Sequence, residues 1–127
     1  MMKISDYAVK TYIATGGGWT PRVGHMINLY DFDLIVFPQK TESQIFLNFT
    51  DMKSGNHVYS LPLSPIDFFE TGIKERCLVM FQEKASVIKE IIDETGIDNF
   101  SKKSIEALKN NEERFGIKPV TEIYQNI

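Results

Sequence analysis

Residues 31–37 read DFDLIVF and are followed by Pro38, and this stretch decides the fold. At the two-residue period of a β-strand, alternate positions from Phe32 onward form one wholly apolar face. The other face begins with the carboxylates of Asp31 and Asp33 and becomes apolar towards its end. The pattern predicts a central strand over residues 31–37, buried on one side and partly covered on the other.

The chain before this stretch also alternates between polar and apolar residues. Residues 6–15 predict a first strand, which three glycines at positions 16–18 end, because glycine holds an extended conformation at an entropic cost. Residues 19–21, which include a proline, are predicted to continue this loop. A second strand is predicted to begin within residues 23–25 and to run into the central strand, with an interruption around Asn28.

Two further strands are predicted after the central one. Residues 44–49 are rich in aromatic and β-branched side chains, and residues 57–61 return along the same pattern. Gly55 and Asn56 between them both tolerate positive φ, which favours a turn that makes the two strands antiparallel. Residues 6–61 therefore predict a meander of four or five strands.

Helical patterns begin where the composition changes, at residues 62–65. Ser64 precedes Pro65, an order typical of a helix N-cap followed by the first helical residue. A helical apolar stripe follows, although Gly72 weakens its middle and residues 77–81 also fit a short buried strand; we expect a helix there. The stripe comprises Ile66, Phe69, Ile73, Cys77, Met80 and Phe81.

Two more helical patterns follow. Residues 87–92 carry an apolar stripe that ends at Gly96, a residue type common just after a helix. Residues 101–115 predict another helix, in which Ile105 and Leu108 are expected to face inward.

The order of the predicted elements defines the fold class. Strands precede helices, and residues 119–127 are expected to pack as a final turn of helix. A chain of 127 residues with 43% hydrophobic and 24% charged residues is a typical single domain. We therefore predict one α+β domain, residues 1–127, whose antiparallel sheet from the N-terminal half is covered by helices from the C-terminal half.

Composition argues against several functions and locations. No apolar run approaches the roughly 20 residues that span a bilayer, and Asp6 lies where a signal peptide would be apolar. The single cysteine, Cys77, excludes an intrachain disulfide and a cysteine-based metal cage. The net charge of −3 disfavours nucleic-acid binding, and all the excess acid lies in residues 64–127, with nine basic and twelve acidic residues. We expect a cytoplasmic protein that binds neither membrane nor nucleic acid.

Asp31 and Asp33 are the first candidate binding residues. On one strand face they would stand about 7 Å apart, twice the rise per residue. That spacing can suit metal coordination or paired-carboxylate chemistry, but such pairs are common, and a solvated strand end is the first alternative and a basic protein partner the second. No third ligand can be identified from the sequence, so we predict partner binding and no metal site.

Trp19 and Arg22 are the second candidate pair. Both lie beside the glycines, and both residue types are enriched at the energetic centres of protein interfaces. The alternative is that the indole folds back and caps the core. The glycines lack the lysine and the serine or threonine of a phosphate-binding loop, and His25 and His57 have no identifiable nucleophile, so we predict no cofactor and no catalytic residue.

The chain resembles the bacterial immunity proteins of toxin and immunity pairs, in particular those of contact-dependent growth inhibition systems. The resemblance rests on its whole-chain character: a short acidic protein, strands followed by helices, one cysteine and no catalytic motif. It implies a protein that binds and neutralises one cognate toxin domain, often a nuclease, inside the producing cell.

Three functions are therefore compared. The first is a non-catalytic protein that inhibits a basic partner, a toxin domain, through Trp19, Arg22, Asp31 and Asp33. The second is a small metal-dependent hydrolase that uses Asp31 and Asp33. The third is a structural adaptor with an exposed apolar patch. The acidity and the missing chemistry favour the first.

Overall fold

The computed structural model describes residues 2–70 and 74–124. The strands are β1 (Lys3–Thr15), β2 (Gly18–Leu29), β3 (Phe32–Lys40), β4 (Ile45–Asp51), β5 (His57–Pro62) and β6 (Glu122–Tyr124). The helices are α1 (Pro65–Glu70), α2 (Lys74–Thr95) and α3 (Ile97–Phe115), which lie between β5 and β6 along the chain.

All six strands form one sheet in the order β5-β4-β3-β2-β1-β6, and every neighbouring pair is antiparallel. The first five strands are a simple meander, because each pairs with the next along the chain. The predicted α+β class, with an N-terminal antiparallel sheet and C-terminal helices, is confirmed. The predicted final turn of helix is wrong, because residues 122–124 instead add β6 beside β1.

The central strand is shifted relative to its prediction. Tyr30 and Asp31 have φ angles of 50° and 67° and form the two-residue turn between β2 and β3. Asp31 therefore lies in this turn. The prediction that it shares a strand face with Asp33 is wrong. The strand also continues through Pro38, because β3 pairs with β2 only as far as Val36 and the proline leaves no N–H unpaired on that side.

The second strand is longer than predicted, and it includes residues 19–21, which the sequence predicted as a loop. It begins at Gly18, passes through Pro21, and continues past Asn28 without a break. Pro21 pairs with Tyr12 of β1 on one side, while its other side lies beyond the stretch that pairs with β3. Two long strands thus replace the predicted glycine loop, and the turn shrinks to Gly16 and Gly17.

One face of the sheet packs against α2. The helix buries Cys77, Met80, Phe81, Ala85, Ile88 and Ile92, and the strands supply Ile27, Leu29, Leu34, Val36, Leu47 and Phe49. The helical alternative for residues 77–81 is confirmed. Ile66, at the start of the predicted stripe, is 73% exposed, so its inward placement is wrong. Gly72 and Ile73 lie outside the described residues, and so does the side chain of Phe69.

The other face of the sheet is concave. Ile35 and Phe37 of β3 are buried there together with Val9 and Ile13 of β1. Curling brings distant strands together, since the Ala14 backbone N–H in β1 donates to the carbonyl of Gly55 after β4, at 2.8 Å. In a flat sheet β1 and β4 would be three strand spacings, about 14 Å, apart.

The third helix begins four residues earlier than predicted and turns a different side inward. It starts at Ile97, directly after Gly96, whose φ of 90° suits glycine. Its buried side chains are Ser104 and Asn111, whereas Ile105 is 53% exposed. The predicted inward placement of Ile105 is therefore wrong, because the fully buried side chains of this helix are polar and its apolar contacts come from the half-buried Phe100 and Phe115.

Candidate functional site

A buried carboxylate organises the end of the sheet where α3 attaches. Asp51, at the end of β4, is 5% exposed, and its Oδ2 accepts hydrogen bonds from the hydroxyls of Ser54 and Ser104, both at 2.6 Å. Ser54 belongs to the turn after β4 and Ser104 to α3. The carboxylate therefore ties the turn and the helix together, and these short bonds replace the water it loses on burial.

About two helical turns further along, Asn111 makes the second polar attachment of α3. Its side-chain amide donates to the carbonyl of Ser54 at 2.9 Å and to Oδ1 of Asn56 at 2.7 Å. Both acceptors belong to the turn between β4 and β5. This turn is itself tightly packed, since an added Cβ at Gly55 would lie 2.7 Å from the ring of Trp19.

A groove of about 710 Å³ opens between this turn, the β2–β3 turn and the first half of α3. We call it the acidic groove, because Asp31, Asp33, Asp51 and Asp98 line it and Lys53 is the one cation among its described lining residues. Asp31, Asp33 and Asp98 are exposed, while Asp51 lies at the base.

The exposed carboxylates of the groove are largely uncompensated. Asp33 accepts a hydrogen bond from the side-chain amide of Asn28 at 2.8 Å, an uncharged donor. Asp31 and Asp98 form no ion pair or hydrogen bond with the residues that the structure describes. Three carboxylates against one ammonium, that of Lys53, give this surface a negative potential that attracts cations.

The β2–β3 turn that presents Asp31 is anchored to α2. The Tyr30 hydroxyl donates to Oδ1 of Asp93 at 2.8 Å, and the Lys89 ammonium lies 3.2 Å from Oδ2 of the same carboxylate. The hydrogen bond from Tyr30, followed by that from Lys89, lowers the pKa of Asp93. The anchor holds a turn in which Tyr30, unlike Asp31, is not a residue type that commonly adopts positive φ.

Behind the groove lies a half-buried ammonium. Lys118 donates from Nζ to the hydroxyl of Thr11 at 3.2 Å, and Thr11 also exchanges a hydrogen bond with Thr121, a groove residue, at 2.8 Å. Burial lowers the pKa of Lys118, and the carboxylates of Asp51 and Glu112 offset this change in part. Lys118 is partly buried and is not among the residues that line the groove.

The structure places the other predicted pair elsewhere. Trp19 lies on β2, where its indole N–H donates to the carbonyl of Gly116 at 3.0 Å and its ring meets Phe115 edge-on at 5.9 Å. This placement matches the alternative in which the indole folds back onto the protein. Arg22 donates to the carbonyl of Pro21, and its position three residues along the strand puts it on the opposite face from Trp19. Neither Trp19 nor Arg22 lines the acidic groove, and their part in binding stays a prediction.

The two histidines also have separate neighbours. His25 on β2 lies 3.0 Å from the carbonyl of Ser5, and His57 on the edge strand β5 lies 2.7 Å from the hydroxyl of Ser60. Among the described residues, no three His, Cys, Asp or Glu side chains are grouped so that they could hold a metal ion. None of the helices in the described part of the chain is long and apolar enough to cross a membrane.

Sequence reasoning identified Asp31 and Asp33 but missed Asp51 and Asp98. A signal existed for Asp51, because an aspartate three residues before a serine, Ser54, is typical of turns closed by side-chain hydrogen bonds. The signal for Asp98 was weaker. An acidic residue shortly after a glycine, here Gly96, is compatible with the first turn of a helix, where a negative charge is favourable. Comparisons of the chain with protein-family models, with curated proteins and with solved structures found no match.

Proposed function

We propose that this protein is a non-catalytic inhibitor that binds a basic protein partner in the acidic groove. The partner proposed is a cognate toxin domain, encountered in the cytoplasm, as the resemblance to immunity proteins of contact-dependent growth inhibition systems implies. The observation that carries the proposal is the groove itself, where Asp31, Asp33 and Asp98 are exposed and Lys53 is the single cation among the lining residues that the structure describes.

Charge and shape support binding of basic side chains. A groove of about 710 Å³ can enclose several side chains of a partner, and its carboxylates offer acceptors for lysine or arginine. The groove is also held in place before any partner arrives. Tyr30 fixes one wall through Asp93, and Ser104 fixes another through Asp51, which reduces the ordering cost of binding.

The first experiment identifies the partner and measures its association kinetics. A tagged copy is used to recover proteins from the source cell, and a recovered toxin domain is then bound at low and high salt. Replacing Asp31 and Asp33 together by asparagine should slow association about tenfold and flatten its salt dependence, because steering depends on local charge.

A matched control separates the groove from net charge. Asp6 and Glu42 are exposed acids outside the groove, so the pair Asp6→Asn and Glu42→Gln removes the same charge elsewhere. The control should leave association within about twofold of the wild type. Equal slowing by both pairs, or recovery of no toxin domain, would count against the proposal.

A further inference from the structure

The acidic groove has an apolar lining as well as a charged rim. Met26 and Met52 line it and are half-buried, and both pack against the buried cluster on the concave face of the sheet. Phe32 and Ile97 add an aromatic and an aliphatic side chain to the lining. The volume of about 710 Å³ lies within the range of small-ligand sites, roughly 300–1,000 Å³, so the groove can receive an inserted side chain.

The carboxylate of Asp51, at the base of the groove, keeps acceptor capacity. Its Oδ2 accepts the bonds from Ser54 and Ser104, whereas among the described residues only the backbone N–H of Lys53 approaches Oδ1, at 3.4 Å. That bond is long, and a carboxylate oxygen can accept two. The Lys118 ammonium bonds to Thr11, and no described residue forms an ion pair with Asp51. The buried carboxylate therefore lacks a direct partner of opposite charge within the described part of the chain.

We propose that the groove receives one arginine side chain of the basic partner, with its aliphatic stem along Met26 and Met52 and its guanidinium between Asp51 and the rim carboxylates. This inference rests on the proposed function and names the contact that anchors the partner. A guanidinium carries five N–H donors in one plane, so it can bond to carboxylates on several sides at once. Arginine is also enriched at the energetic centres of interfaces, where it fills a pocket.

The lining favours arginine over lysine. An ammonium is compact and strongly hydrated, and it would lose that water beside the thioethers of the groove. A guanidinium is more weakly hydrated and stacks on aromatic rings, and Tyr30 and Phe32 both line the groove. Ser101 and Thr121 are lining residues too, and their hydroxyl oxygens can accept from the N–H groups that the carboxylates leave over.

The first test titrates the full chain with N-acetyl-L-arginine methylamide and follows isotope-labelled methionine methyl groups by NMR. The Met26 and Met52 signals should shift, whereas that of Met80, which is 6% exposed in the α2 interface, should stay constant. The uncharged citrulline analogue should bind about tenfold more weakly or worse, because it forms no charge-assisted bonds. No shift at Met26 and Met52 up to about 0.1 M probe, or equal binding of the citrulline analogue, would overturn the proposal. Equal binding of the lysine analogue would overturn the choice of arginine.

A matched pair of variants tests the location of the arginine site. Ile97 lines the groove and is 47% exposed, so Ile97→Lys places a cation there without burying it and should weaken probe binding about tenfold or more. Ile105 lies on the same helix, is 53% exposed and does not line the groove, so Ile105→Lys adds the same charge and should leave binding within about twofold. An unchanged Met80 signal shows that each variant is folded. Equal weakening by the two variants would contradict a site in the groove.

The arginine site and the proposed function can fail separately. If the probe binds as described but no toxin domain is recovered, the arginine site is supported and the proposed partner is wrong. If a toxin domain is recovered and its association depends on Asp31 and Asp33, but the probe shifts neither Met26 nor Met52, the basic contacts are confined to the rim. That result would overturn the arginine site and leave the proposed function in place.

Discussion

The two long helices of this protein attach to the same sheet in different ways. α2 buries a continuous apolar row, which includes Phe81 and Ile88, against apolar strand residues. α3 instead buries Ser104 and Asn111, which bond to the turn after β4, while its Ile105 points outward. α2 is thus held by buried apolar side chains, whereas α3 combines buried hydrogen bonds with the half-buried rings of Phe100 and Phe115.

The difference teaches where a binding surface can be built. An apolar interface excludes water and closes over the sheet, as α2 does along the core. A polar attachment fixes the helix at a few points and leaves space beside them. The acidic groove lies in that space, between Asp51 at its base and Asp98 at the start of α3.

The largest expected effect tests the apolar side of the comparison. Phe81 is 2% exposed in the α2 interface, and replacing it by alanine should lower the free energy of unfolding by about 3–5 kcal/mol, because the cavity adds to the lost burial. Val79 lies on the same helix but is 57% exposed, so Val79→Ala should change stability by less than about 1 kcal/mol. Chemical denaturation measures both, and similar losses would show that α2 is not packed as described.

Breaking the polar attachment of α3 should lower the free energy of unfolding by less than the Phe81 variant does, and it should loosen the turn after β4. Asn111→Ala removes the bonds to Ser54 and Asn56 and should lower the free energy of unfolding by about 1–3 kcal/mol, because the Ser54 carbonyl is left buried without that donor. Amide exchange near residues 51–56 should quicken more than exchange in the centre of α2.

Asn110→Ala is the matched control for that variant. Asn110 is exposed and adjacent in the same helix. Its replacement changes helix propensity by the same amount as Asn111→Ala but removes no buried hydrogen bond. Equal destabilisation by the two variants would refute a polar attachment of α3 through Asn111.

The comparison also explains how much of the fold the sequence predicts. Periodicity found the first five strands and the two apolar stripes that α2 joins, because Leu34, Val36 and Ile88 are buried by the same apolar pattern that it detects, but it missed β6. It misplaced Ile105, because the partners of Ser104 and Asn111 lie more than 50 residues earlier in the chain. No local pattern contains such a pairing.

The candidate site was predicted in part for a similar reason. Asp31 and Asp33 are close in sequence and both line the groove, although Asp31 reaches it from a turn rather than from a strand. Asp51 and Asp98 join them only because the sheet curls and α3 crosses its end. Trp19 lies beside Gly55 for the same reason, which a local reading of the glycine-rich stretch does not reveal.

The smallest predicted effects are pH-dependent and have opposite signs in the two regions. At the α2 interface, burial raises the pKa of the Cys77 thiol from 9.0 to about 11. Near α3, burial lowers the pKa of the Lys118 ammonium. Both changes act in the alkaline range, so they can be compared in one series of unfolding measurements above pH 8.

The sign follows from which state binds more protons. Between pH 9 and 11 the folded protein keeps the Cys77 proton while the unfolded chain loses it, so the thiol's contribution to stability is present below pH 9 and is lost as pH rises. By pH 10 the loss should reach about 1.4 kcal/mol, and Cys77→Ala should remove that part of the slope. For Lys118 the unfolded chain holds the extra proton, so stability rises with pH towards the ordinary lysine value, and Lys118→Met should remove that rise. The two variants should therefore change the alkaline slope in opposite directions, and a change in the same direction would show that one of these groups is not buried as described.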